Sequence, residues 1–193
     1  MIDIAVAGPE HRTRIVSALV AAFRGDPVIR WQFPDDDSYP ELAAVFFGHL
    51  FDKRVHRGAV WVAEGGNAVA IWEPPADASP AVEDVLPRKL PADVLARVRA
   101  YDDAVHAALP AEPYWYLGVL GTHPDHSGRR LGHAVMAEGL RAAAADGRPA
   151  VLETATEGNV RMYERAGWRV IAELTDPLPV WVLQNDTYGS SRM

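Results

Sequence analysis

The N-terminal half of the chain shows a changing pattern of apolar and polar positions. Residues 2–7 alternate between the two, which favours a first strand. Apolar side chains then recur at every fourth position over residues 9–23, the spacing of an amphipathic helix. Residues 25–40 are rich in proline and aspartate and predict a loop, although aromatic side chains are interspersed. A helical pattern resumes over residues 41–55.

Two short apolar runs in the middle of the chain predict a β-hairpin. They cover residues 59–63 and 68–72 and are joined by a Glu-Gly-Gly-Asn segment. Gly and Asn accept the positive φ that such a turn requires. A further helix is predicted over residues 93–109. Three prolines end the second strand of the hairpin: Pro74, Pro75 and Pro80.

The C-terminal half alternates between apolar runs and helical patterns in the order β-α-β-α-β-β. Together with the elements before it, this order predicts an α/β (α+β) fold in which helices flank one mixed central sheet. The length of 193 residues fits a single domain over residues 1–193. The predicted elements are strand 114–122, helix 129–146, strand 150–154, helix 159–166, strand 168–174 and strand 180–183.

Composition excludes several classes of function. The chain has no cysteine, which excludes disulfides, thiolate metal sites and a cysteine nucleophile. Its formal net charge is -7, with 26 acidic residues against 19 Lys and Arg, and this balance argues against a nucleic-acid partner. No apolar run approaches the ~20 residues of a membrane span, and the N-terminus lacks the features of a secretion signal. We therefore expect a cytoplasmic protein without a membrane partner.

Residues 117–135 carry the clearest chemical signal, because a strand leads there through a Gly-containing turn directly into a helix. The first backbone N–H groups of such a helix lack intrahelical acceptors, and with the helix dipole they suit an anion such as a pyrophosphate. We expect Ser127 to cap the helix, Gly128 to allow close backbone approach, and Arg130 to be helical and face outward. The segment fits neither the Walker pattern nor G-x-G-x-x-G. Taken alone, it is equally compatible with a helix start that only needs a cap.

The same segment resembles the acetyl-coenzyme A signature of the GNAT superfamily of N-acetyltransferases. That signature is a strand, a proline-containing turn and Gln/Arg-x-x-Gly-x-Gly/Ala at the start of a helix. Ser127 stands where the family has Gln or Arg, and Arg130 stands where it has Gly. The layout of further matching segments is similar to that of puromycin N-acetyltransferase-like proteins. These segments include Ala21-Ala22-Phe23, Phe33-Pro34-Asp35, Val60-Trp61-Val62-Ala63, Glu112-Pro113, Leu152-Glu153-Thr154 and Tyr163-Glu164-Arg165-Ala166-Gly167-Trp168.

The resemblance implies the GNAT fold, with a sheet of about six to seven strands, and acetyl-coenzyme A (acetyl-CoA) as acetyl donor. In that family the sheet opens beside the long strand, where the pantetheine arm pairs with free backbone groups. The resemblance assigns this contact to Leu120, Gly121 and Thr122, with an N–H near Leu120 polarising the thioester carbonyl. It assigns Asn159 to the pantetheine arm as well. The pyrophosphate contacts then belong to Ser127, Gly128, Arg129, Arg130, Leu131, Gly132 and His133.

The resemblance also implies the acid–base groups. It makes Tyr163 the general acid that protonates the departing thiolate, whereas by itself a tyrosine here is more readily a packed aromatic residue. A base must take the proton of the acceptor ammonium. Glu153 and Glu73 both end strands expected to border the cleft, and their spacing does not choose between them.

Two further groups of residues have alternative interpretations. Two histidines and an aspartate lie within residues 123–126, but a strand-to-helix turn occupies this stretch and no third ligand cluster accompanies it, so we expect no metal site. Several aromatic residues either wall an acceptor pocket or belong to the core. They are Trp31, Phe33, Trp72 and Trp115.

The leading hypothesis for function is transfer of an acetyl group from acetyl-CoA to an amine of a small molecule, for which an antibiotic-like compound is one option. One alternative is acetylation of a protein N-terminus or lysine side chain. Another is a non-catalytic sensor that binds acyl-CoA. The sequence leaves a monomer and a homodimer equally open.

Overall fold

One seven-stranded mixed sheet forms the centre of the computed structural model, which describes residues 2–75 and 83–186 and so leaves Pro80 outside. The strands follow one another across the sheet in the order β1-β2-β3-β4-β5-β7-β6. Strands β4 and β5 are parallel, and the other neighbouring pairs are antiparallel. The predicted mixed sheet is therefore confirmed. The strands are β1 (Ile4–Val6), β2 (Val60–Ala63), β3 (Ala68–Glu73), β4 (Trp115–Thr122), β5 (Ala150–Thr154), β6 (Arg169–Leu174) and β7 (Val180–Asn185).

Helices flank the sheet, and most of them begin and end near their predicted bounds. None in the described ranges is long and apolar enough to cross a membrane. Short 3₁₀ segments cover Pro9–His11, Val55–Arg57 and Pro124–His126. The α-helices are α1 (Arg12–Ala22), α2 (Pro27–Gln32), α3 (Tyr39–Asp52), α4 (Leu86–Lys89), α5 (Ala92–Ala108), α6 (Leu131–Ala145) and α7 (Glu157–Arg165).

The loop predicted over residues 25–40 is wrong, because α2 lies within it. The Asp26 side chain accepts hydrogen bonds from the N–H groups of Val28 and Ile29, both at 3.0 Å, and so caps the helix. Pro27 occupies the first helical position, where its missing N–H costs nothing. The Asp-Pro pair is thus a helix start rather than a helix breaker. The short helix α4 was not predicted at all.

Alternate residues of β3 build a core on each face of the sheet. Val69 and Ile71 pack on the face covered by α1, α3 and α5, in a cluster that includes Leu19. Ala70 and Trp72 pack on the opposite face against α6, in a cluster that includes Met136. A central strand that is buried on both faces holds the two layers of helices in fixed positions around β4.

Two glycines allow helices to approach the sheet closely. A Cβ atom on Gly121 of β4 would lie 2.6 Å from Leu19 Cδ2 of α1, and one on Gly139 of α6 would overlap the Trp72 ring. Trp72 is fully buried as a result. It therefore belongs to the core and cannot wall an acceptor pocket.

Candidate active site

Strands β4 and β5 separate part-way along their length. Their pairing covers Trp115–Leu117 of β4 and ends where Leu117 lies opposite Leu152. Beyond this point β4 continues to Thr122, whereas Glu153 pairs only with β7 among the described strands. The edge of β4 that faces β5 is therefore free from Gly118 onward. The predicted opening in the sheet is present, and it starts two residues before Leu120.

Two cavities meet at this opening. The first, which we call the acidic cavity, has a volume of about 420 Å³ and is lined by residues of α2, α3, α5, β4 and β5. The second, which we call the loop cavity, has about 480 Å³ and is lined by the segment between β4 and α6 together with α7. Leu120, Asn159 and Tyr163 line both cavities. A molecule in one cavity can thus contact a molecule in the other at these three residues.

The loop cavity presents backbone donors at the start of α6. The N–H of Ala134 bonds to the carbonyl of Arg130 at 3.1 Å, which leaves the N–H groups of Leu131, Gly132 and His133 without a preceding helical acceptor. No side chain caps this end, so the predicted capping role of Ser127 is wrong. Free donors at a helix N-terminus favour a bound anion.

Arg130 precedes α6 in a left-handed conformation, with φ 61°. The prediction that it is helical is therefore wrong. The position requires positive φ because the chain must turn sharply out of the segment that contains Gly128, whose own φ is 77°. This requirement explains in physical terms why glycine suits the site, and why arginine there carries a conformational cost.

Nine of the eleven residues predicted to bind the cofactor line the loop cavity. Gly121 does not line it and instead packs against α1, and Arg129 does not line it either. Sequence reasoning missed His126 and Met162, and also Met136, although the predicted helical face already placed Met136 beside Gly132. The nine are Leu120, Thr122, Ser127, Gly128, Arg130, Leu131, Gly132, His133 and Asn159.

Arg129 binds another part of the protein. Its guanidinium donates to both carboxylate oxygens of Glu64 in the β2–β3 turn, at 2.6 and 2.8 Å. This contact lowers the pKa of Glu64, which also accepts from Asn67 Nδ2 at 3.2 Å. Arg129 therefore attaches the segment before α6 to the hairpin, rather than reaching into the loop cavity.

Helix α7 carries Asn159 and Tyr163 to the junction of the cavities. Thr156 caps the helix by accepting the N–H of Asn159, and Asn159 Nδ2 donates to Thr154 Oγ1 at 3.1 Å. The Tyr163 ring lies edge-on to Trp168, with centroids 5.8 Å apart. Burial, and then the charge of Glu153, raise the pKa of Tyr163 well above its ordinary value. Its hydroxyl thus stays protonated at neutral pH, as a proton donor requires.

Glu153 and Glu73 have different surroundings. Burial raises the pKa of Glu153 to about 7, although the Tyr116 hydroxyl, which donates to Glu153 Oε2 at 2.5 Å, opposes the rise. Glu153 lines the acidic cavity. Glu73 does not line it and is held by Arg54, whose Nε and Nη2 atoms lie 3.1 and 2.5 Å from Glu73 Oε2. Of these two glutamates, only Glu153 therefore lines the cavity in which an amine could bind.

None of the four aromatic residues considered for the acceptor pocket lines the acidic cavity. Phe33 is 1% exposed and, like Trp72, belongs to the core. Trp31 packs against a cluster that contains Val28 and Tyr101, and Trp115 Nε1 donates to Asp146 at 3.0 Å. The aromatic walls are instead Phe23, Phe46, Phe47, Tyr101, Tyr116 and Tyr163.

Residues 95–171 match the model of the acetyltransferase (GNAT) domain, from α5 into β6. The matched region contains the opening in the sheet, the loop cavity, Glu153 and Tyr163. The chain carries a GNAT acetyltransferase domain. Solved structures share the fold of this chain at low sequence identity. Acetyl-CoA is the acetyl donor that a GNAT domain uses in general, and the loop cavity has the donors to bind its phosphates.

Three of these structures illustrate the likeness. A Corynebacterium glutamicum protein described as histone acetyltransferase HPA2 and related acetyltransferase is 22% identical, with a TM-score of 0.66 and 95% of each chain covered. The Drosophila melanogaster polyamine N-acetyltransferase is 16% identical, with a TM-score of 0.68 and coverage of 96% and 100%. Arylalkylamine N-acetyltransferase 2 from Aedes aegypti is 9% identical, with a TM-score of 0.65 and coverage of 96% and 99%.

Proposed function

We propose that this GNAT acetyltransferase transfers the acetyl group of acetyl-CoA to an amine of a small molecule, by direct attack in a ternary complex. The observation that carries the proposal is the junction of the two cavities at Leu120, Asn159 and Tyr163. A thioester reaching this junction from the loop cavity would meet an amine from the acidic cavity. Holding both reactants in one geometry removes much of the entropic part of the barrier.

The loop cavity fits the donor molecule part by part. The free N–H groups of Leu131, Gly132 and His133, with the Arg130 guanidinium, suit the pyrophosphate. The unpaired edge of β4 from Gly118 onward offers backbone groups to the amides of the pantetheine arm. Acetyl-CoA supplies an activated acetyl thioester when bound there.

Glu153 and Tyr163 then divide the proton transfers between them. The acceptor amine enters as an ammonium ion, and Glu153 accepts its proton so that the nitrogen can attack the carbonyl carbon. A C–N bond forms and the C–S bond breaks, while the Tyr163 hydroxyl gives its proton to the leaving sulfur. The attacking nitrogen loses a second proton as it becomes the amide, and this proton restores the Tyr163 hydroxyl. A base whose pKa is about 7 is well matched to neutral pH.

A small-molecule acceptor fits the acidic cavity better than a protein segment does. Its volume of about 420 Å³ is in the range of ligand pockets, and residues of α2 and α5 contribute to its walls. Its four carboxylates favour a cation, and they belong to Asp26, Asp84, Asp102 and Glu153. The Drosophila and Aedes proteins that share the fold are named as N-acetyltransferases of polyamines and of arylalkylamines. An antibiotic-like acceptor such as puromycin belongs among the compounds to test, because the sequence layout resembles that class.

The first experiment measures thiol release from acetyl-CoA with a panel of amines, using the wild-type protein and Tyr163→Phe. We expect Tyr163→Phe to lower kcat by about 10²-fold or more, the contribution typical of a general acid, while binding of acetyl-CoA is unchanged. Tyr114→Phe is the matched control, since Tyr114 lines neither cavity. Equal turnover by all three proteins would remove Tyr163 from the mechanism. Cofactor binding without any thiol release would favour the sensor alternative.

A further inference from the structure

Asp26, on the α2 wall of the acidic cavity, is a partly buried carboxylate without a counter-ion. Its Oδ1 atom accepts both capping hydrogen bonds, and no described residue donates to Oδ2 or forms an ion pair with Asp26. Burial raises the pKa of Asp26, and only backbone hydrogen bonds oppose the rise. A carboxylate removed from water usually has a cationic partner. Here one acceptor atom of the side chain is left for a ligand.

Gln32, at the other end of α2, is a second buried polar side chain with an acceptor atom that lacks a hydrogen bond. It lines the acidic cavity and is 1% exposed. Its side-chain Oε1 has no hydrogen-bond donor among residues 2–75 and 83–186, although its backbone carbonyl accepts from Arg97 Nε at 3.0 Å. An acceptor atom that is buried without a donor destabilises the folded protein. A ligand that donates a hydrogen bond to Gln32 Oε1 would remove this cost.

More carboxylates than Lys and Arg side chains line the acidic cavity. Four carboxylates line it, against Lys53 and Arg54, and Arg54 is already paired with Glu73 outside the lining. Burial raises the pKa of Asp102, and the charges of Lys53 and Arg54 oppose this rise. Neither cation forms an ion pair with Asp26 among the described residues. Burial, and then the charges of Glu153 and Asp26, raise the pKa of Tyr101, and all three side chains line the acidic cavity.

We propose that the acceptor is a linear amine with at least two cationic nitrogens, one of which reacts beside Glu153 while Asp26 holds the other. Gln32 then accepts a further N–H from a longer acceptor, since it lies six residues beyond Asp26, about 9 Å along α2. The inference rests on the proposed acetyl transfer and names its substrate class. A monoamine would leave both Asp26 Oδ2 and Gln32 Oε1 without a donor.

The test compares kcat/KM for putrescine and n-pentylamine, which have the same chain length and differ in one terminal group. We expect the wild-type protein to prefer putrescine by about tenfold to hundredfold, as one charge-assisted hydrogen bond supplies. Asp26→Asn should reduce this ratio to near one, chiefly by lowering kcat/KM for putrescine, whereas Asp103→Asn should leave the ratio unchanged. Asn caps a helix as well as Asp does, so α2 should remain intact. Asp103→Asn is the control, because Asp103 is exposed and outside the lining.

Gln32→Leu provides a second readout that does not depend on Asp26. We expect it to raise Tm in the absence of ligand, because it removes an unpartnered buried amide, and to lower kcat/KM for spermidine more than for putrescine. If the wild-type protein acetylates n-pentylamine and putrescine equally well, the inference is wrong and the proposed acetyl transfer stands. If no amine is acetylated, both proposals fail together. A ratio unaffected by Asp26→Asn would also overturn the assignment of Asp26.

Discussion

The Tyr116 hydroxyl and the Glu153 carboxylate, on the neighbouring strands β4 and β5, form a hydrogen bond of 2.5 Å beside the opening in the sheet. The bond stabilises the ionised carboxylate and so opposes the effect of burial, which raises the pKa of Glu153 to about 7. The two effects together keep the pKa of the proposed base close to neutral pH. A substitution that removes one of the two effects should therefore shift the pKa of Glu153 in a known direction.

We predict that kcat/KM of the wild-type enzyme rises with pH through an inflection near 7, as Glu153 loses its proton. Tyr116→Phe removes the hydrogen bond that lowers this pKa, so the inflection should move to higher pH. Glu153→Gln should abolish it and lower the rate by roughly 10²–10⁴-fold. The measurement is a pH–rate profile at amine concentrations well below KM, with saturating acetyl-CoA. An inflection that stays in place in Tyr116→Phe would assign the titration to another group.

Glu153 should also make stability depend on pH. Its folded-state pKa of about 7 lies above the ordinary value of 4.5, so between these values the folded state holds a proton that the unfolded state loses. Stability is therefore lost as pH rises from 4.5 to 7, by about 3 kcal/mol in all. Glu153→Gln should show no such loss. Urea unfolding at pH 5 and pH 8 measures the difference, and parallel losses in both proteins would contradict the assignment.

Much of the fold could be predicted because single residues decide the local structure. The hairpin followed from its Glu-Gly-Gly-Asn segment, and Gly65 and Gly66 indeed have φ of 68° and 111°. The sequence pattern does not predict helix α2, because its six residues are too few to show a helical period. Its only local signals were the cap Asp26 and the following proline.

The site was predictable where backbone conformation defines it and unpredictable where packing does. The segment from Ser127 to His133 leads into the free backbone N–H groups at the start of α6, so a short motif located it. The acceptor cavity is lined by residues far apart in sequence, such as Asp26 and Tyr101. No spacing rule distinguishes a tryptophan in the core from one in a pocket, and the choice of Trp72 as a pocket wall failed for this reason.

Gly139 should be the least replaceable glycine of α6. A Cβ atom there overlaps the Trp72 ring, which is buried between α6 and β3 and cannot move aside. We expect Gly139→Ala to lower the free energy of unfolding by about 1–3 kcal/mol through overpacking. Gly158→Ala in α7 is the matched control, because a Cβ there meets nothing within 4 Å. It should instead stabilise the helix by roughly 0.5–1 kcal/mol, and urea unfolding separates the two cases.

Arg130 is expected to lower the stability of the protein and to raise its affinity for acetyl-CoA. Arg130→Gly removes a side chain that is held at φ 61°, and the protein should gain about 1 kcal/mol of stability. The same change removes a guanidinium from the lining of the loop cavity, so KM for acetyl-CoA should rise several-fold. Thermal unfolding and steady-state kinetics measure the two effects. A stabilised variant with unchanged KM would show that the backbone donors alone bind the phosphates.

The Arg129–Glu64 pair should act on the cofactor indirectly, by holding the segment before α6 against the hairpin. Glu64→Gln removes one charge of the pair and lies outside both cavities. If the pair positions the backbone donors of Leu131 to His133, the substitution should raise KM for acetyl-CoA a few-fold while kcat and the pH profile stay unchanged. Arg129→Met should give the same change, and the double variant no more than either single one. A larger loss in Arg129→Met than in Glu64→Gln would mean that Arg129 leaves Glu64 and contacts the phosphates itself.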